Sequence, residues 1–300
     1  MFDRNSDKFA SALLFFSAAF WGLYWLPLRE MGQAGLSATW SVAFFNFCPL
    51  LVLVPYVLLK REEQLRHMKA VTLVALMTGV GLACYATGLV MSSVIRATLL
   101  FYLTPIWSTI IGVIWLRERL SVGRIVAIAL GLLGLYLLIS SGDAESVPLN
   151  IGDLFAVLSG VFWAVGAAGI KRWPEVPTSV TSTGQFVFAC LASAAFGIFY
   201  FGEEVPELGA FVSAFPVGFF AGTFVLLPTL YAIFWASKRL FPGRVGLLMM
   251  SEALVAILSA SLLLPEEVLS FWQWTGGFIV IAACLVEILS KDEAEPLPST

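Results

Sequence analysis

Residues Phe9 to Leu28 read FASALLFFSAAFWGLYWLPL, a run without a single charge. As a helix rising 1.5 Å per residue it is about 30 Å long, the thickness of a bilayer's hydrocarbon core. The run is too long for a signal peptide and lacks a convincing small-residue cleavage site, so it reads as a retained first membrane helix. Comparable runs follow at about 37–59, 70–91, 96–116, 122–140, 152–170, 180–201, 213–236, 244–264 and 271–290. The third and fourth are the least sharply divided, because only Ser92, Ser93 and Arg96 punctuate them. Composition agrees: 59 % of the 300 residues are hydrophobic and 12 % are charged, against about half and a quarter in a globular chain. So few charges cannot build a soluble surface. The expected class is an all-α integral membrane protein of ten transmembrane helices.

Lysine and arginine test that count independently, because their bias toward the cytoplasmic side orients membrane helices. With the N-terminus inside, 15 of the 17 fall on inside segments and only Arg29 and Arg96 on outside ones. A wrong span count would scramble the alternation. The expectation is N-in and C-in, with connections too short for a soluble domain.

The chain also repeats itself. Phe20-Trp21-Gly22 in the first span lines up with Phe162-Trp163-Ala164 in the sixth, and Arg29 with Lys171. Thr104-Pro105 through Glu118-Arg119-Leu120-Ser121 resembles Ser251-Glu252 through Glu266-Glu267-Val268-Leu269-Ser270, with one or two extra residues in the later copy. Five spans per half is an odd number, so two such halves must be inverted relative to each other. The charges agree, since the junction at 116–121 is basic and that at 264–270 acidic. The expected organisation is a first five-helix repeat over 1–143, an inverted second over 150–290, and a disordered acidic tail over 291–300. Inverted halves supply two pseudo-symmetric states, one open to each side, with substrate near the midplane.

These residues resemble the EamA branch of the drug/metabolite transporter superfamily. The likeness rests on Phe20-Trp21-Gly22, on Tyr102-Leu103-Thr104-Pro105 with Leu116-Arg117-Glu118-Arg119-Leu120-Ser121, and on the glycine-rich span that follows. Ser251-Glu252-Ala253-Leu254-Val255-Ala256 and Pro265-Glu266-Glu267 add the second half. The resemblance covers nearly the whole chain and implies a ten-helix carrier that moves small organic metabolites by alternating access, often outward. Many relatives have Glu-Pro where this chain has Glu252-Ala253, which puts in question whether the ninth helix bends.

Glu252 is the sharpest site candidate. It lies about 10 Å into the hydrocarbon from the cytoplasmic side, where a charge is costly unless it faces water or a partner. It reads either as a group that binds a cation or carries a proton, or as a neutral acid that only joins two helices. Trp21, Trp107 and Trp163 fall near the middle of their spans. Trp21 and Trp163 are repeat partners, and Tyr85 and Tyr102 can join them in an aromatic wall suited to flat or cationic ligands; ordinary core packing is the competing reading. Trp40, Trp115, Trp173, Trp235, Trp272 and Trp274 sit near span ends, as interfacial belts do. Asn46 and Gln185 hold nearly matching repeat positions, either on a cavity or as glue between helices. Arg96 reads as an outer snorkelling cation or an anion lure. Pro27, Pro49, Pro105 and Pro228 mark candidate bends, and Gly131, Gly134, Gly166, Gly169, Gly276 and Gly277 candidate close approaches.

Several classes are disfavoured. The single histidine, His67, sits in a charged loop with no evident partner, and Cys48, Cys84, Cys190 and Cys284 are scattered singly. No cofactor, metal or nucleic-acid partner is expected, and no phosphate loop for ATP coupling is present. The partners expected are a small-molecule substrate and the lipid bilayer of a bacterial inner membrane, with proton coupling and the choice between monomer and homodimer left open. The sequence therefore reads as a secondary transporter, leaning toward an amine, a quaternary ammonium solute or an amino acid. The alternative is a polytopic enzyme acting on a lipid or prenyl substrate.

Overall fold

A computed structural model of the chain describes residues 4–59, 67–91, 97, 100–139, 149–263 and 270–289. Arg96, the 60–66 loop, the acidic junction around Glu266 and the tail lie outside them. Apart from short turns and connections, the described residues are helical. The first half contains α1 (Arg4–Trp21), α2 (Trp25–Gln33), α3 (Ala38–Phe47), α4 (Leu50–Leu59), α5 (Met68–Met91), α6 (Thr104–Leu116) and α7 (Val122–Ile139). The second contains α8 (Ile151–Arg172), α9 (Thr178–Ala195), α10 (Leu208–Ala221), α11 (Leu227–Ser237), α12 (Pro242–Leu248), α13 (Ser251–Leu263) and α14 (Phe271–Leu289).

Taken as continuous stretches, 7 of the described segments are long and apolar enough to cross a membrane; Thr104–Leu116, Val122–Leu137 and Phe271–Glu287 are shorter apolar helices. Together they fall where the ten runs were expected. Large apolar side chains such as Phe9, Phe16, Phe20, Phe199 and Leu262 stand exposed, which suits a surface covered by lipid.

Several runs that read as continuous are interrupted. Pro49 marks the break between α3 and α4, and Pro105 opens α6 just after a turn at 102–103; each lacks the N–H that would extend the helix backward. Pro228 follows a π-helical segment, Gly222–Leu226, whose ladder shifts so that the Leu227 N–H bonds the Gly222 carbonyl. A second π segment spans Phe196–Tyr200. The ninth run breaks too, between α12 and α13 at Met249 and Met250, although no proline is there. In its place, Ser251 Oγ lies 3.0 Å from the Leu248 carbonyl, which the break leaves without its regular helical partner, and 2.8 Å from the Phe15 carbonyl of α1, so its one proton serves either of the two. Ala253 therefore does not straighten this span. The breaks ahead of Thr104-Pro105 and of Ser251-Glu252 fall at the aligned repeat positions.

The closest helix pairs join the two halves. Helix α5 packs on α8 and α9, α6 on α8 and α12, α1 on α11 and α13, α3 on α9, and α7 on α14. Exchanging the halves maps most of this set onto itself: α1 with α11 corresponds to α8 with α5, and α1 with α13 to α8 with α6, whereas α5 with α9 has no counterpart of similar extent. Small residues permit these approaches. An added Cβ at Gly134 would meet the Gly276 carbonyl at 2.8 Å, a backbone contact between α7 and α14 that a larger residue would forbid.

Candidate functional site

The interrupted helices converge on one central cavity. From the first half it is lined by Trp21 at the end of α1, by Gly81, Leu82 and Tyr85 of α5, and by Phe101 ahead of α6. The second half supplies Trp163 of α8 and Met249 and Glu252 at the α12–α13 break. The cleft is about 310 Å³ counting its mouth, and its enclosed part has room for about one water molecule.

Local sequence explains how the walls are aimed. In Phe20-Trp21-Gly22 the three residues face three directions at the end of α1: Phe20 is exposed, Trp21 is buried at the cavity, and Gly22 abuts the backbone of α13. In the second copy Trp163 is likewise buried at the cavity and Ala164 is fully buried. Long α8 is started cleanly, since Asn150 accepts from the Gly152 N–H at 2.8 Å and Asp153 from the Asn150 N–H at 3.0 Å, a reciprocal N-terminal cap.

Of the residues singled out from the sequence, Glu252, Trp21, Trp163 and Tyr85 line the cavity. Tyr102 lies just behind it, packed edge-on against Phe101 at 5.0 Å. Its hydroxyl sits beside the Glu252 carboxyl without reaching hydrogen-bond geometry. Trp107, Asn46 and Gln185 are not among the described residues that line it. Trp107 instead lies against Gly160. Asn46 donates to the Val42 carbonyl at 2.8 Å and reaches the Tyr24 hydroxyl at 3.5 Å. Gln185 is fully buried, its amide unpartnered among the described residues. His67 does have a neighbour, Glu175, whose carboxylate is 4.0 Å from its Nδ1.

Sequence reading missed Tyr24. It stacks on Trp21 with centroids 5.5 Å apart and planes 4° from parallel, within electrostatic reach of Glu252. Its place three residues after Trp21 was the available signal. Glu252 makes no ion pair with Lys or Arg among the described residues. The cavity thus pairs one buried acid with the rings of Trp21, Tyr85, Phe101 and Trp163, a set able to hold a cation by charge and by ring faces.

Two polar clusters lie away from this cavity. Arg124 is buried between Glu118 and Glu287, donating from Nε to Glu287 at 3.2 Å and from a terminal nitrogen to Glu118. Glu203 accepts from Ser37 Oγ at 2.7 Å and from Thr39 Oγ1 at the start of α3. Among the described residues no three or more His, Cys, Asp or Glu come together as a metal site would require.

Long apolar helices, an exposed apolar belt and a central cavity walled by broken helices of both halves define a multi-pass integral membrane protein. The profile of the EamA-like transporter family matches residues 8–140 and again 150–289, and the chain belongs to that family. It is 27 % identical over 158 residues to a protein of Archaeoglobus fulgidus described as an uncharacterized transporter. That match takes in 53 % of this chain and 54 % of the relative, so the chain spans about half the length of the curated relative it matches. A solved crystal structure superposes with a TM-score of 0.74 over 95 % of this chain and 96 % of that one, at 18 % identity. This last likeness is one of fold.

Proposed function

We propose that the protein is a secondary carrier that moves a small organic solute bearing an amine or quaternary nitrogen through the central cavity by alternating access. The observation that carries this reading is the cavity itself: Glu252, the repeat-partner tryptophans Trp21 and Trp163, and Tyr85 meet there. An unpaired buried acid is costly, and a cationic ligand seated against it and the rings offsets that cost. In this reading the ten spans run N-in to C-in as two inverted five-helix halves. The self-mapping helix pairs and the twice-matched family profile support it. Rocking one half against the other opens the cavity to each face in turn. A proton is the ion the same carboxylate accepts once substrate has left, which makes substrate–proton exchange the coupling consistent with the site.

The test is counterflow in proteoliposomes loaded with a mixed pool of amines, amino acids, sugars and nucleosides, with labelled species followed by mass spectrometry. Saturable exchange confined to nitrogen cations is expected. Exchange confined to sugars or to anions would overturn the substrate assignment. An inert but folded, monodisperse preparation would overturn the carrier reading over this panel.

A further inference from the structure

A second cavity lies beside the first. It is lined by Val74 of α5, Gly169 and Ile170 of α8, Thr181 of α9, and Phe234 and Lys238 at the end of α11, among others. Both cavities use the same two helices as walls. Along α5 the step from Val74 to Gly81 is seven residues, and along α8 that from Trp163 to Ile170 is also seven, each about 10 Å of helix. Two contacts fill the interval. The Thr78 methyl seats against Gly166, where an added Cβ would collide with it. The Trp163 ring, a wall of the first cavity, meets the Phe234 ring, a wall of the second, with centroids 6.4 Å apart and planes at 49°.

We infer that the second cavity is the vestibule through which the central site opens toward the Lys238 face, and that the Trp163–Phe234 contact is the gate between them. This rests on reading the central cavity as the substrate site. The geometry favours this route because the two spaces share α5 and α8 as walls and are separated by the Trp163 and Phe234 rings beside the Thr78 methyl, the ring pair being the larger obstacle. The far end is polar and held by lysines: Lys238 donates to the Val176 carbonyl and Lys171 to the Arg239 carbonyl, tying the ends of α8 and α11 together. Rotation of the Phe234 ring away from Trp163, with release of these lysine ties, connects the cavities without disturbing Glu252. The Lys238 ammonium then stands at the mouth, where it repels a departing cation less strongly only when a counter-anion or water screens it.

The experiment needs no substrate, so its outcome is separate from that of the transport assay. Cys48, Cys84, Cys190 and Cys284 are replaced by alanine, and a single reporter is placed at Leu82→Cys in the central cavity or at Thr181→Cys in the vestibule. A charged, membrane-impermeant thiol reagent is applied to each face of sealed vesicles. Thr181→Cys is expected to react from one face only and Leu82→Cys slowly from that face. Phe234→Ala should then raise the Leu82→Cys rate from that face about three- to tenfold, the scale of one aromatic contact. The rate from the opposite face should stay the same. Phe234→Leu, which keeps apolar bulk, guards against misfolding and should give a smaller rise in the same direction. Phe220→Ala, on an exposed side chain, should leave the rate unchanged. An unreactive Thr181→Cys, or a Leu82→Cys rate that is unmoved or raised equally from both faces, would overturn the gate.

Discussion

The Glu252 carbonyl stands directly over Gly22: a β-carbon on Gly22 would overlap it and come within 2.9 Å of the Ala256 amide nitrogen. The first span and the ninth therefore touch backbone to backbone beside the cavity, and the residue next to Gly22, Trp21, is set against Glu252 by that contact. Backbone has no rotamer through which to give way, so a side chain here must push the helices apart.

Gly22→Val is accordingly expected to lower the stability of the detergent-purified protein by roughly 1–3 kcal/mol, the usual range for overpacking. Gly22→Ala should fall between it and the native protein. Thermal unfolding followed by tryptophan fluorescence checks this; an unchanged midpoint for Gly22→Val would mean the spans do not meet here.

Arg124 neutralises two buried acids, and its loss should be severe. Arg124→Met strands Glu118 and Glu287, which is expected to cost about 3–5 kcal/mol. Combining it with Glu118→Gln and Glu287→Gln should restore most of the loss, because no buried charge then lacks a partner. The comparison of unfolding midpoints across the two variants is the check, and equal damage in both would contradict the ion-pair account.

At the start of α3, Glu203 accepts two hydroxyl hydrogen bonds beside the positive end of the helix. Glu203→Gln keeps the shape and removes the charge, and a loss of about 1 kcal/mol is expected. Ser37→Ala together with Glu203→Gln should cost less than the sum of the two single changes, because the pair is coupled.

Burial first, and then the neighbouring Arg239, hold the Lys238 ammonium below its ordinary 10.5, with Glu175 opposing. A lysine whose pKa is lower folded than unfolded binds fewer protons when folded. It therefore weakens the fold below the lowered pKa, and the penalty fades as pH climbs from there to 10.5. The native protein should gain stability relative to Lys238→Met over that alkaline window. A parallel pH dependence for the two proteins would place Lys238 in open water.

The span positions were legible because twenty uncharged residues in a row have one economical fate in water's presence, and the lysines and arginines repeated the count. Trp21 and Trp163 were legible as rings at repeat-matched depths, and Tyr85 and Glu252 as a ring and a charge that stand out against an aliphatic background. The helix breaks were only half legible. Pro49 and Pro105 announced theirs, whereas the break at Met249 has no proline and is accompanied by Ser251, whose hydroxyl reaches the Leu248 carbonyl or that of Phe15, a residue more than two hundred positions away. Phe234 was missed for a similar cause, since it owes its role to a ring contact with Trp163 made across the bundle, whereas Tyr24 stacks on Trp21 from three residues away and carried only that spacing as a signal. Glu118 read as a charge of the 116–121 junction and Arg124 as a cation at the edge of the fifth span, and only the fold brings Glu287 up beside them.

The most direct test of the central claim is equilibrium binding of a small quaternary ammonium ion to the purified protein, read by quenching of its tryptophans, for native protein, Glu252→Gln and Glu252→Asp. Expected is saturable quenching by the native protein, weakened by about thirtyfold or more in Glu252→Gln, as for loss of a buried charge partner, and less in Glu252→Asp. Equal affinity for native protein and Glu252→Gln, or quenching by anions in place of cations, would contradict it.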